Sequence, residues 1–448
     1  MHDRICAIAT AQGEGAIGVV RASGKESISI ISEVFSRDLN NKNSHTTHFG
    51  LLRDNKGEVV DEVLITIFHE GKSYTGEESI EISCHGSSYI LAKVLELLGT
   101  LDFRLAEPGE FTKRAFVNGK LDLSQAEAVA DLIASQSKRA HDIALNQLRG
   151  QFSHELKELR EKLINFASLI ELELDFAEED VEFADRTELL NLVTDVLKYI
   201  ERLSKSFHLG NAIKKGVPVA IVGAPNTGKS TLLNTLLGED RAIVSNIAGT
   251  TRDVIEETIN LDGILFRFID TAGIREGAEE IEALGIERSK QKIDQAMVVL
   301  CLSDGSDDNS MREVSAWTDQ LREQYPEKFV LHVINKTDLK DVEAQNGIAI
   351  SAKAQRNIDA LKSTIVEKVQ GDFNFSEDTI VSNARHYEAL RRTAEALEKA
   401  LEGLKTGVTG DFVAMDIRQA MYELGTITGD ISTDDLLGNI FANFCIGK

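Results

Sequence analysis

Cysteine is scarce. The four in the 448 residues, Cys6, Cys84, Cys301 and Cys445, are too few and too scattered for a disulfide framework. No two stand in a Cys-x-x-Cys spacing, which excludes the common zinc and dithiol motifs. Such usage fits reduced thiols in a cytoplasmic protein. Only four prolines occur, so long helices are expected to run largely unbroken. No apolar run approaches the roughly 20 residues that span a bilayer, which excludes a membrane-spanning helix. The first ten residues hold too short an apolar stretch for a secretory signal. Basic residues are the minority charge: 49 Lys and Arg against 73 Asp and Glu give a net charge of -24. That disfavours broad, non-specific nucleic-acid binding, which needs clustered cations, but leaves room for a local basic patch.

What is present is ordinary globular composition, 42% apolar and 27% charged. The length suggests about three domains. Residues 1–118 mix strand and helix signals. Ala16–Val20, Glu58–Phe68 and Ser79–Ser83 read as strands, and Lys25–Phe35 and Tyr89–Leu98 as helices, giving an α+β domain. Residues 119–212 read as a helical segment. Ser124 and Glu127 form a capping-box pattern that opens a helix towards Gly150. A second helix is expected from about His154 to Asp175 and a third from about Thr187 to Phe207. Between residues 213 and 374, short apolar strands alternate with helical patterns, the signature of a doubly wound, mostly parallel sheet. Those strands are Val217–Val222, Ile264–Ile269, Met297–Leu302, Phe329–Ile334 and Ile348–Ile350. Residues 375–448 return to helix, with Asp411 and a Ser432/Asp435 box as start signals. The simplest architecture inserts the α/β domain into a discontinuous helical domain.

The chemistry lies at the ends of those strands. Gly223-Ala-Pro-Asn226-Thr227-Gly228-Lys229-Ser230, followed by Thr231, matches GxxxxGK[ST] and directly follows the Val217 strand. Such a loop wraps phosphates in backbone N–H groups, with Lys229 on the outer phosphates and the Ser230 hydroxyl on Mg²⁺. Asp270-Thr271-Ala272-Gly273 ends the Ile264 strand, where Asp270 can hold a magnesium-bound water and the Gly273 N–H can meet the γ-phosphate. Gly249-Thr250-Thr251 lies between these motifs, and Thr251 can complete the Mg²⁺ shell as part of a switch loop. Asn335-Lys336-Thr-Asp338 follows the Phe329 strand, and the Asp338 carboxylate can accept both N–H groups of the guanine edge. Adenine would leave that carboxylate unpaired, a discrimination on the order of 10⁴-fold. Ser351-Ala352-Lys353 follows the last strand, where a backbone N–H can reach guanine O6. Five such elements in order, at the ends of strands in an open α/β sheet, point to a GTPase.

Ile274 follows Gly273, where Ras-type enzymes carry a water-orienting Gln. Another group must position the water. Glu282 is one candidate, although it also reads as one more solvated helix acid beside Glu276, Glu279 and Glu280. Arg252 and Arg275 are candidates for an intrinsic arginine finger.

Several strings resemble the MnmE (TrmE) family of tRNA-modification GTPases over essentially the full length. They are Ile8-Ala-Thr, Gly18-Val-Val-Arg-Ala-Ser-Gly24, Tyr74-Thr-Gly-Glu-Glu-Ser-Ile-Glu-Ile, the run from Pro108 to Val129, the GTPase motifs, and the terminal Phe444-Cys-Ile-Gly-Lys448. The resemblance implies an N-terminal tetrahydrofolate-binding-like α+β domain, a discontinuous α-helical domain and an inserted Ras-like α/β P-loop G domain. It implies a homodimer through the N-terminal domains, with a 5-formyl- or methylene-tetrahydrofolate contacted by Arg21, Glu81, Lys120 and Lys448. It also implies K⁺ in the place of an arginine finger, with Asn226 as side-chain ligand. The loop Ser245, Asn246, Ile247, Ala248, Gly249 and Thr250 would line the nucleotide, with Ser245, Ile247 and Thr250 completing the K⁺ shell. Glu282 matches the family's water-positioning acid. The implied partners are the FAD-dependent protein MnmG (GidA) and tRNA, whose wobble uridine is modified at C5.

Cys445 matches the family's C-terminal cysteine, tied to modification; read from the residues alone, it is either a nucleophile or a structural thiol. The chain departs from the family pattern at Ala11-Gln12, at Ser87 in His85-Gly-Ser and at Val117. The rival reading is a regulatory GTPase of ribosome assembly. The folate-type first domain and the Cys-Ile-Gly-Lys terminus argue against it.

Overall fold

The computed structural model describes residues 3–11, 13–175, 186–240, 257–269, 290–342, 347–371, 373, 378–442 and 444–447. The N-terminal region is built from β1 (Arg4–Ile8), β2 (Ile17–Ser23), α1 (Ser27–Val34), β3 (Thr46–Arg53), β4 (Val59–Phe68), β5 (Ser79–His85), α2 (Ser88–Thr100), β6 (Phe103–Leu105) and α3 (Glu110–Val117). Its strands form a six-stranded sheet in the order β3-β4-β5-β2-β1-β6, antiparallel except for the β1–β6 pair. Alternation decides which face is wet. Val20, Ala22, Ile65, Ile67, Ile80 and Ile82 are buried with residues of α1 and α2 such as Ile28, Ile31, Val94 and Leu98. Arg21 and Glu81 fall on the alternate positions and are opposite one another in the β2–β5 register. Residue patterns located β2, β4 and β5. They missed the short β1 and β6, the charge-interrupted α3, and β3, whose Thr46-Thr-His-Phe-Gly-Leu-Leu-Arg run lacks a clear polar–apolar alternation.

The helical run comprises α4 (Leu123–Ala134), α5 (Lys138–Leu148), α6 (Gln151–Asp175) and α7 (Arg186–Lys215). Where one helix was expected up to Gly150 there are two. The Ser137 hydroxyl accepts from Ala140 N–H at 3.2 Å and starts α5 afresh. The box that opens α4 is Asp122 with Gln125 rather than Ser124 with Glu127. Asp122 accepts from Gln125 N–H at 2.9 Å, and Gln125 accepts from Asp122 N–H at 3.0 Å. Helix α7 runs eight residues beyond Phe207, through Gly210. A Cβ on Gly210 would stand 2.2 Å from the Val381 carbonyl oxygen, so this glycine serves close packing rather than a break.

The second sheet uses β7 (Val217–Val222), α8 (Lys229–Asp240), β8 (Glu257–Leu261), β9 (Ile264–Phe268), β10 (Val298–Asp304), α9 (Asp308–Gln324), β11 (Phe329–Asn335), β12 (Ile348–Ala349) and α10 (Ile358–Gln370). Its order is β12-β11-β10-β7-β9-β8, parallel except for the β8–β9 hairpin. The order turns back on either side of β7, which makes the end of β7 a topological switch point. β8 was not anticipated. Its sign is the turn Asp262-Gly263, both residues at positive φ (49° and 81°), as a two-residue hairpin requires. Helices α11 (Ala384–Thr406), α12 (Gly410–Thr428) and α13 (Asp434–Phe441) close the chain. Asp411 lies in the first turn of α12, and the cap of α13 is Thr433, whose hydroxyl accepts from Leu436 N–H at 3.3 Å.

The chain divides into two compact units. One holds Met1–Ala130, Gln147–Glu161 and Met421–Lys448; the other holds Asp131–Asn146 and Lys162–Ala420. In the second unit, Ala140 and Ile143 of α5 and Leu209 and Ile213 of α7 share one core with the β7 strand. No helix among the described residues is long and apolar enough to cross a membrane.

Candidate functional site

In the second unit the loop between β7 and α8 curls into a phosphate cradle. Gly223 (φ 150°) and Gly228 (φ 96°) hold backbone conformations that side chains disfavour. Space is as restrictive: a Cβ would stand 2.5 Å from the Leu302 carbonyl oxygen at Gly223 and 2.3 Å from Asn335 Nδ2 at Gly228. Lys229 Nζ donates back to the carbonyls of Gly223 (2.9 Å) and Ala224 (2.8 Å), and Thr227 Oγ1 donates to Ala224 (2.9 Å). Burial, aided by the charge of Lys292, pushes the Lys229 amine below the ordinary lysine value. An anion at the cradle opposes both effects and restores the charged form. Asn226 is exposed at φ 61°, and Ser230 and Thr231 are exposed at the start of α8, where an N-terminal dipole favours phosphate.

The base-reading half is tied to this cradle by one buried side chain. Asn335, at the end of β11, donates from Nδ2 to the Thr227 carbonyl (2.9 Å) and accepts Ala352 N–H on Oδ1 (3.0 Å). It therefore braces the P-loop against the loop after β12. Ala352 N–H is consumed in this bond, and the next residue, Lys353, is exposed. Ser351 Oγ donates to Asp338 Oδ1 at 2.6 Å, and this bond holds the exposed Asp338 carboxyl below its ordinary value. Lys336, at φ 65°, donates to Asp304 Oδ2 at 2.6 Å. Burial raises the Asp304 carboxyl, but the bonds from Lys336 and Ser306 outweigh it and keep it ionised. Asp304 was not picked from the sequence. Its signal was available, an acid at the carboxyl end of a parallel strand next to the P-loop strand.

Glu282, Ser245, Asn246, Ile247, Ala248, Gly249, Thr250, Thr251, Asp270, Thr271, Ala272 and Gly273 lie outside the described residues, as do Arg252, Ile274 and Arg275. The donors that are described suit their expected ions: a serine hydroxyl for Mg²⁺ and an amide oxygen of Asn226 for a larger, softer-held cation.

The first unit carries a separate cavity of about 400 Å³. At its inner side Arg21 donates to Glu81 Oε1 from Nε (3.0 Å) and Nη2 (2.7 Å). The guanidinium lies 5.5 Å from the Tyr74 ring and 5.7 Å from Phe111. Both bonds go to one carboxylate oxygen, which leaves acceptor capacity on a carboxylate that lines the cavity. Ser73, Thr75 and Ser79 line the floor. Thr75 and Ser79 bond to Ser23, which also donates to Glu77 (2.9 Å). Glu77 in turn accepts from the buried Arg114, which also pairs with Glu110 and Asp3. The floor thus rests on a charge network keyed to α3. Lys120 does not enter the cavity as a lone cation; its Nζ donates to the Gly71 carbonyl at 2.9 Å and anchors the loop that forms one wall. Tyr74, Thr75 and Lys72 were not picked as site residues, although Tyr74 and Thr75 stand in a string that carries the family resemblance.

The chain end belongs to this unit too. Cys445 is exposed, and its carbonyl accepts from Gly109 N–H at 3.4 Å. Burial pushes Cys6, Cys84 and Cys301 up to about 11, leaving them protonated and inert at neutral pH. Lys448 lies outside the described residues.

A P-loop on the switch-point strand, braced to an ionised carboxylate with guanine-edge chemistry, defines a guanine-nucleotide-binding P-loop protein. Two family models match the chain: "GTP-binding protein TrmE N-terminus" over residues 4–120 and "MnmE helical domain" over residues 123–445. Three full-length relatives are each named "tRNA modification GTPase MnmE". That of Flavobacterium johnsoniae is 52% identical, covering 100% of this chain and 99% of the relative. Those of Cytophaga hutchinsonii and Bacteroides fragilis are 51% and 50% identical, covering 100% of this chain and 98% and 100% of the relatives. The chain belongs to the MnmE (TrmE) family of tRNA-modification GTPases.

Proposed function

We propose that this chain hydrolyses GTP and, with the flavoprotein MnmG (GidA), drives aminomethyl or carboxymethylaminomethyl addition at C5 of the wobble uridine in certain tRNAs. The observation that carries the nucleotide half is Asn335, which builds cradle and base reader into one rigid site. Asp338 selects guanine, Lys229 holds the outer phosphates, and Ser230 with Thr251 would hold Mg²⁺. Glu282 would orient the attacking water in place of the missing Gln. Asn226, with Ser245, Ile247 and Thr250, would hold K⁺. When bound, the two cations offset charge on the transferring phosphoryl group.

The modification half rests on the family match and on the first unit's cavity. Glu81 Oε2 suits the N–H-rich edge of a pterin, and Tyr74 supplies a stacking wall. That chemistry fits a 5-formyl- or methylene-tetrahydrofolate as the one-carbon source, with Arg21 and Glu81 at its ring and Lys120 and Lys448 beside it. Cys445, an exposed thiol, would take part in the modification step. The working division is a folate and dimerisation domain (1–118), a helical domain (119–212 and 375–448) and a G domain (213–374), acting as a cytoplasmic homodimer.

The test is mass spectrometry of wobble nucleosides from a deletion strain. Loss of the C5 modification, restored by the wild-type chain and not by Lys229→Ala, is the expected result. Unchanged wobble nucleosides with altered ribosome profiles would replace this reading with the ribosome-assembly one.

A further inference from the structure

The cations around the cavity of the first unit differ in what already holds them. Arg21 is committed to Glu81, and Lys120 to the Gly71 carbonyl. Among the described residues, Lys72 lines the same cavity, is exposed, and enters no ion pair. His45, also exposed on the rim, stands edge-on to Phe68 with ring centroids 5.3 Å apart.

The loop that carries Lys72 is held in place from several sides. Gly71 N–H donates to the Gly76 carbonyl (2.8 Å) and Lys72 N–H to the His69 carbonyl (2.9 Å). Lys120 Nζ holds the Gly71 carbonyl (2.9 Å), and Asn118 Nδ2 holds the Thr75 carbonyl (2.8 Å). A flexible ammonium group therefore projects from a fixed backbone position. Two acids of this region are engaged elsewhere, Glu77 with Arg114 and Ser23 and Glu81 with Arg21, while Glu70 stands exposed two residues before Lys72. Lys72 thus adds a cation to the lining of the cavity that also holds Glu81.

We propose that Lys72 reads the acidic tail of the folate, so that the chain binds tetrahydrofolates carrying several glutamates more tightly than the monoglutamyl form. The inference rests on the folate reading above and adds a specificity-determining residue to it. Each extra glutamate adds one net carboxylate to the tail, and its attraction to an exposed cation is modest and weakened by salt.

The experiment is calorimetric titration of the full chain with 5-formyltetrahydrofolate bearing one, three or five glutamates, at low and high salt. The wild-type chain should bind the triglutamate about fivefold more tightly than the monoglutamate at low salt, with the ratio falling towards one at high salt. Lys72→Gln should remove that ratio, Lys72→Glu should invert it, and Lys72→Arg should keep it. A purely structural role for Lys72 would instead weaken all tail lengths together. Equal affinities in the wild-type chain, or a ratio that survives Lys72→Gln, would overturn the proposal while leaving the folate reading intact, provided Arg21→Ala abolishes binding of every tail length. If the wild-type chain binds no folate of any length, both readings fall.

Discussion

Ser351 illustrates how much of the base site rests on single atoms. Its hydroxyl donates to Asp338 and accepts from Ala354 N–H at 3.1 Å, so the loop after β12 and the guanine reader share one oxygen. The carboxylate must be ionised to accept two N–H groups. Replacing it by an amide puts a donor against a donor. Asp338→Asn should lower GTP affinity at least about 100-fold and raise affinity for xanthine nucleotides, whose edge offers a carbonyl there. Fluorescent-nucleotide titration reads both. The pH dependence has a definite sign. Ser351 holds the Asp338 carboxyl below its ordinary value, so the ionised form survives further into acid than a free aspartate would. Affinity is therefore full above the ordinary carboxylate range and is lost only as pH falls through the depressed value. Ser351→Ala should move that loss to higher pH. An unmoved acid limb would show that other groups set it.

At the scale of elements, glycines separate what the residue pattern reveals from what packing decides. The P-loop glycines were legible because the motif fixes their chemistry, and the β7 strand was legible because it is apolar throughout. The third helix was expected to end near Phe207, three residues before Gly210, because a glycine at the end of an amphipathic pattern looks like a helix stop. The real constraint on Gly210 is the Val381 carbonyl, a contact from a segment about 170 residues away that no local window contains. The Asp122–Gln125 and Thr433 caps were misplaced by one or two residues, and the Ser137 restart was not anticipated, for a related reason: several polar residues stand within reach, and only the backbone path selects one. In the candidate site, motif residues were readable one by one, whereas the Asn335 brace and the Lys336–Asp304 pair join positions at the ends of different strands and in the loops that follow them. Two glycine substitutions test this distinction by their sign. Gly210→Ala should destabilise by about 1–3 kcal/mol, because overpacking against a carbonyl outweighs helix propensity. Gly238→Ala, exposed in α8 with nothing within 4 Å of its Cβ, should stabilise by about 0.5–1 kcal/mol. Chemical denaturation of the two variants gives both numbers, and equal signs would contradict the packing account.

For the whole molecule the question is how a GTPase without the water-orienting Gln reaches useful turnover. The chain carries a net charge of -24, and such a surface concentrates cations rather than repelling them. The P-loop contributes an exposed Asn226 in the left-handed region, beside carbonyls already turned towards Lys229. An amide oxygen at that point favours a monovalent ion bound by neutral donors, and a size-selective cage of such donors discriminates K⁺ from Na⁺. A fixed cation at the phosphates is worth as much as a preorganised donor, about 10²-fold in turnover. GTP hydrolysis by the full chain should therefore be at least about tenfold faster in K⁺ than in Na⁺ at matched ionic strength. Asn226→Ala should flatten the difference while leaving nucleotide affinity within a few-fold, since Lys229, Asn335 and Asp338 still hold the ligand. Matched ionic strength is needed because a general salt effect on so acidic a protein would act on both ions alike. If turnover is equal in the two salts, the countercharge must come from the protein itself, and Arg252 and Arg275 are the side chains that flank the phosphate-sensing motifs. Lys substitution at each then becomes the decisive comparison, because a finger needs the forked guanidinium and a structural arginine tolerates the exchange.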